Sequence, residues 1–183
     1  MRLSPMVSSG QVELLSTQSL VEAFFRKSAG NWKSERRYYT LKKDTSQEVV
    51  SFITIEFLER GDARLLPLAE LHHLREEQVL ACGSQVIWES HYVGPKGKPT
   101  KGSTVFGVLG ETLYRDRGFA TPEPVTAHLY LPKPQTLCLK TEYGGSVFEE
   151  EIKLIGQKYR TRQTIISRAG EELTIGQYLE KRV

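Results

Sequence analysis

Cysteine is almost absent from this chain of 183 residues, occurring only at Cys82 and Cys138. Neither belongs to a CxxC pair, so the spacing supports neither a zinc knuckle nor a disulfide framework, and a reducing compartment is expected. No run of about 18 apolar residues occurs, and the opening MRLSPMVSSG lacks the apolar stretch of a secretory signal. A soluble, cytoplasmic protein without a membrane partner is therefore the expectation. Charge of one sign is also missing: 25 Lys and Arg face 22 Asp and Glu, a net of +3 with no basic stripe, which argues against nucleic acid as a partner. The GKPTKGS loop lacks the Walker spacing and its strand-to-helix setting. His72 and His73, beside Glu76 and Glu77, diverge by ~100° if helical, so no metal site is expected.

What the chain has instead is strand pattern. Residues 1–16 are set apart as a flexible N-terminal extension, and 17–183 reads as one domain, a length that fills one core or one barrel and is short for two. A helix is predicted from Leu20 to Ser28, with Ser19 as its N-cap. Leu20, Val21, Phe24 and Phe25 form its apolar stripe, and Gly30 stands where a left-handed residue belongs. WKSERRYYTL and VVSFITIEFL form a hairpin across the polar DTSQE. A second helix is predicted from Pro67 to Ala81. After Gly83 only strand and turn follow: SQVIWESHY, STVFGVL, ETLYRDRGFA, PVTAHLYL, TLCLKTEY, VFEEEIKLI, YRTRQTIIS and ELTIGQYL. The predicted fold is thus all-β, an antiparallel up-and-down barrel of about ten strands with an N-terminal helix and one inserted helix. Closure removes the sheet edges and leaves room for one small ligand. Gly30-Asn31-Trp32, at the helix–strand junction, is similar to the GxW opening of lipocalins, where the tryptophan plugs the closed end.

Strand alternation then sorts the charges. Arg160, Arg162, Thr164 and Ile166 share one face, and Phe148, Glu150, Ile152 and Leu154 share one face of the preceding strand. Charge mixed with bulk on one face suits a ligand cavity, which needs apolar walls and a few fixed charges. Cross-strand pairing of Arg-x-Arg with the Glu run on an outer surface is the competing reading. A slip of one residue would exchange Glu150 for Glu149 or Glu151.

Several segments in the right order carry a likeness to a known family: FFRKSAGNWKSERRYY, VIWES with GSTVF, RDRGFATPEPVTAHLYL, and LKTEYGGSVFEEEIKLIGQKYRTRQTI. From about Leu20 to Leu179 the chain resembles the S-type phycobiliprotein lyases, the CpcS/CpeS family of bilin attachment enzymes. That resemblance implies a lipocalin-like barrel, similar to fatty-acid-binding proteins. It would bind an open-chain tetrapyrrole, phycocyanobilin first, as substrate rather than cofactor. The product would be a thioether to a cysteine of a phycobiliprotein subunit of phycocyanin or allophycocyanin. The setting would be the cyanobacterial cytosol or a plastid stroma, with the lyase acting as a homodimer or beside a related lyase subunit. Where family members have an EERLWF-like run this chain has EEEIKLI, and the exchange at Glu151 and Lys153 is expected to reshape one cavity wall.

Bilin chemistry assigns the charged residues. Arginine holds propionates through paired hydrogen bonds, which selects Arg160 and Arg162, with Arg36 as a third. A carboxylate suits the pyrrole N–H groups, and Glu150 is the first choice, also as the proton donor that activates the bilin. Trp88 supplies flat apolar contact, and Glu142 and Thr164 complete the expected bilin-binding set. The nucleophile is expected from the partner, leaving Cys82 and Cys138 structural. RDRG with FATPEP is read either as a rim element touching the acceptor or as a stabilised turn. A carrier of a fatty acid or bilin, or an assembly chaperone of the phycobilisome, are the alternative functions.

Overall fold

The computed structural model of the chain describes residues 9–94 and 97–183. Helix α1 (Ser9–Ser28) leads into β1 (Gly30–Thr40), a short 3₁₀ turn at Leu41–Lys43 and β2 (Thr45–Leu58). A short helix α2 (Leu65–Leu71) precedes the continuous meander of β3 (Cys82–Tyr92), β4 (Thr100–Leu109), β5 (Thr112–Arg115), β6 (Val125–Lys133), β7 (Thr136–Tyr143), β8 (Ser146–Ile155), β9 (Tyr159–Arg168) and β10 (Glu171–Arg182). Each strand pairs antiparallel with its neighbour in sequence, and β10 returns to β1, closing a ten-stranded barrel. The predicted fold class is the observed one.

Both helices differ from their predicted spans. α1 begins at Ser9, so Ser19 lies inside the helix and not at its N-cap, and the segment set apart as an extension is helical from Ser9 onward. Residues 1–8 lie outside the described residues. The buried stripe Val21, Phe24 and Phe25 docks the helix over one barrel end against β2, β3 and β6. α2 ends at Leu71, ten residues short of Ala81, because His73 adopts a left-handed conformation at φ 53°. That turn sends the chain back over the outside of the barrel, where Leu65, Leu68 and Leu80 pack on Leu58. Gly83 and Gly107 face outward there, and a Cβ at Gly107 would lie 2.6 Å from Leu80, so the glycines are what lets this second layer approach the sheet.

The end beneath α1 is closed by Trp32, 1% exposed, whose Nε1 donates to the Ser28 carbonyl at 2.9 Å. Arg182 covers the indole with its guanidinium carbon 4.3 Å from the ring centre, and donates to the carbonyls of Lys27 (2.8 Å), Ala29 and Gln157 (3.0 Å). Gly30 has φ 128°, and a Cβ there would collide with Arg182. The last strand is thereby fastened to the helix and the first strand.

Candidate functional site

Inside the barrel, the register stacks the polar side chains of β1, β10, β9 and β8 in three rows. Nearest Trp32, Ser34 faces Glu180 and Glu180 faces Arg160; above them, Arg36, Tyr178 and Arg162 are aligned. The next row toward the opposite end runs Tyr38, Gly176, Thr164 and Glu150. Alternation thus aims every second residue of these strands inward, and it settles the Glu run. Glu150 is buried at 3% exposure, while Glu149 and Glu151 lie on the exposed outer face.

The first row closes on itself. Glu180, fully buried, accepts from Arg160 Nε and from Ser34 Oγ (3.0 Å). Arg36 Nε donates to the same serine oxygen at 3.1 Å, and the Arg160 guanidinium lies 4.9 Å from the Trp32 ring centre. Burial alone would push the Glu180 carboxyl up. The fields of Arg160 and Arg162 and the hydrogen bonds from Arg160 and Ser34 outweigh it and hold the group below the usual carboxylate range.

Arg36, Tyr178 and Arg162, with Tyr38 and Glu150 of the third row and Arg160 of the first, line a cavity of about 410 Å³. Arg36 and Arg162 flank Tyr178, at 5.3 and 5.2 Å from its ring centre. Burial works against the Arg162 charge, but Glu150, Tyr178 and Glu180 more than offset it and stabilise the cation. Arg162 donates to Glu150 Oε1. From the opposite wall, Arg115 on β5 reaches within 3.7 Å of Glu150 Oε2. Arg117, at the start of the β5–β6 connection, lies 6.0 Å from the Trp88 ring centre. Gly102 makes room for that indole, since a Cβ there would fall 2.4 Å from it. Phe24 and Phe25 floor the cavity beneath, and Phe106, Phe119 and Trp88 contribute flat surface along it.

Of the residues expected at the site, the structure gathers Arg36, Trp88, Glu150, Arg160 and Arg162 around this cavity. Thr164 is buried opposite Glu150 in register but does not line it. Glu142 is displaced from the expected set: it falls on the outward face of β7, exposed and paired with Lys140 at 2.8 Å, because Thr141 and Tyr143 take the inward positions. The exchange at Glu151 and Lys153 alters the outer surface and not the cavity wall, since both side chains are exposed. Neither cysteine lines the cavity, and burial pushes the Cys82 thiol up to about 12. His72 is used structurally, bonded through Nε2 to the Arg115 carbonyl at 2.8 Å and set edge-on to Tyr114. Among the described residues no helix is long and apolar enough to cross a membrane.

Several residues of the site lie outside the set expected from sequence. Tyr178 and Glu180 belong to a strand whose aliphatic residues, Leu179 among them at 50% exposure, face outward, the reverse of the usual signal. Arg115 was legible as the alternate partner of the inward Leu113. Phe119 lies in a loop, where alternation says nothing.

The comparisons with known proteins agree with this architecture. A family model described as CpeS-like protein matches residues 20–183. "Putative phycocyanobilin lyase CpcS 2" of Nostoc sp. is 58% identical over 166 residues, covering 91% of this chain and 92% of its own. "Putative chromophore lyase CpcV" of Picosynechococcus sp. is 50% identical over 178 residues, covering 96% and 88%. Among solved structures, the S-type phycobiliprotein lyase CPES of Guillardia theta superposes with a TM-score of 0.75 at 24% identity, over 97% of this chain and 98% of that one.

Proposed function

The chain belongs to the CpeS-like protein family, and on that premise we propose that it is a chromophore lyase. It binds an open-chain bilin, phycocyanobilin first, inside the barrel and attaches it through a thioether to a cysteine of a phycobiliprotein subunit. The reaction belongs to the cyanobacterial cytosol or plastid stroma.

The observation that carries this reading is the charge of the cavity wall. Arg36, Arg115, Arg117, Arg160 and Arg162 line it with Glu150 as the lining carboxylate, among aromatic side chains. A bilin offers two propionates, flat rings and a set of N–H donors, which answer these three features in turn. Arg36 and Arg162 are assigned to the propionates. Arg36 is held through its Nε by Ser34 and sits beside Tyr178 on the cavity wall. Arg160 is committed to Glu180 and holds the wall.

The nucleophile is the acceptor's thiol. Its sulfur bonds to the ethylidene carbon of the bilin's A ring, the double-bond electrons move into the ring, and a proton is taken up there; the thiol's own proton is released. Thiol plus C=C thus becomes C–S plus C–H. Glu150 keeps the bilin protonated, which draws electron density from the ethylidene, and the cavity wall presents one face of the ring to the incoming sulfur.

The test mixes purified protein with phycocyanobilin and then adds an apo-phycobiliprotein subunit. A shifted, sharpened visible band followed by colour that survives denaturation on the acceptor is expected. Binding without covalent transfer to any subunit would make the protein a carrier, and no spectral change at all would remove the bilin from the cavity.

A further inference from the structure

We propose that the wall around Arg115 is the seat of one terminal lactam ring of the bilin, and that in the unloaded protein Phe119 occupies this seat. The inference rests on the bilin reading above and identifies a part of the cavity that reading leaves unassigned.

Arg115 is only 7% exposed, and its Nε has no hydrogen-bond partner among the described residues. Neither has Glu150 Oε2, the carboxylate oxygen 3.7 Å from Arg115 Nη1. A buried donor and a buried acceptor are thus left open on two side chains that approach to 3.7 Å, which is costly unless something completes them. A lactam ring carries a carbonyl and an N–H on one edge. The carbonyl accepts from Arg115 Nε while the N–H donates to Glu150 Oε2, so one ring answers both atoms. A fatty acid carboxylate would answer the arginine and leave the glutamate open.

Phe119 is the ring now in that place. It runs parallel to Phe148, with centres 5.0 Å apart and 9° between planes, and the Arg115 guanidinium carbon is 4.4 Å from its centre. Phe148 stacks in turn on Tyr143 at 4.8 Å. Phe119 therefore reproduces the flat contact a conjugated ring would make, but it has no polar atom to offer Arg115 or Glu150. It is half-buried and belongs to the β5–β6 connection, residues 116–124, which is tied down by the Ala120 N–H donating to Tyr143 Oη at 2.9 Å. Loading exchanges one flat ring for another: Phe119 leaves, the lactam ring stacks on Phe148, and the connection lifts from the barrel.

The two roles open to Phe119 differ in the sign of its removal. Stopped-flow association of phycocyanobilin should quicken roughly three- to tenfold in Phe119→Ala, the weight of one aromatic contact no longer to be displaced. Tyr143→Phe keeps the stacked ring and removes only the oxygen holding Ala120, and should quicken association by a smaller factor. Should Phe119→Ala fail to give the parent's circular dichroism spectrum, the Tyr143→Phe rate decides alone. Slower or unchanged association in the folded variants would make Phe119 a fixed wall and overturn the proposal, while leaving the lyase reading intact. A parent that does not bind phycocyanobilin overturns the bilin reading itself.

Discussion

Glu180 and Glu150 both lie inside the barrel against arginines, yet the protein completes the hydrogen bonds of only one. Glu180 is bonded on both oxygens, by Arg160 and Ser34, in the row beside Trp32. Glu150, two rows away, has Arg162 on one oxygen and an open position on the other. The same residue types thus form a strut at the closed end and a socket in the cavity. Burial does not separate them, since both carboxylates are buried; the count of finished hydrogen bonds does.

Breaking the strut should have the largest effect. Glu180→Ala strands Arg160 in the wall, and losing one partner of a buried pair costs about 3–5 kcal/mol, readable by urea denaturation. Because the Glu180 carboxyl is held low in the folded state, its stabilisation is complete above the unfolded value near 4.3 and is lost as pH falls through the folded one. Glu180→Gln should flatten the acid limb of the stability profile below about pH 4.3; an unchanged limb would mean that the pair contributes nothing.

Changing the socket should act on chemistry and spare the fold. Glu150→Gln keeps an acceptor and loses the negative charge that keeps the bilin protonated, so covalent transfer should slow by about a hundredfold or more and the bound bilin should absorb at shorter wavelength. Equal rates and spectra would take Glu150 out of the mechanism. Next in size, Arg36→Ala should weaken bilin binding by roughly ten- to a hundredfold in a spectral titration, with the melting curve little changed. Arg162→Ala should weaken binding and lower stability together, because it also uncovers Glu150. The smallest effect belongs to Glu142→Ala, outside the barrel, where binding and stability should match the parent; a measurable loss of binding would mean that the ligand reaches the outer face.

The same contrast explains what could be read in advance. Strand count, the meander and the inward face of β8 and β9 follow from period-two alternation, which depends only on local sequence. Glu150 could not be separated from Glu149 and Glu151 until the register was known, because one slip inverts the face. β10 misleads for a further reason: its inward positions sit between arginine-bearing strands, so Tyr178 and Glu180 point in while Leu179 points out. Whether an arginine is spent on a carboxylate, as Arg160 is, or left open, as at Arg115 Nε, depends on which side chains meet across the barrel interior. α2 was overextended because its leucines serve a layer outside the barrel and not one continuous helix.

The fastening of Arg182 over Trp32 has a consequence for how the molecule is made. Ser34 and Glu180, neighbours at the seam, are 146 positions apart in the chain, so the first strand emerges during synthesis long before its partner exists. Sealing must wait for the last strand, and a loop of that length makes the step entropically slow. A nascent chain is therefore an open sheet with no inside, and the container comes into being only when its final strand is free to turn back.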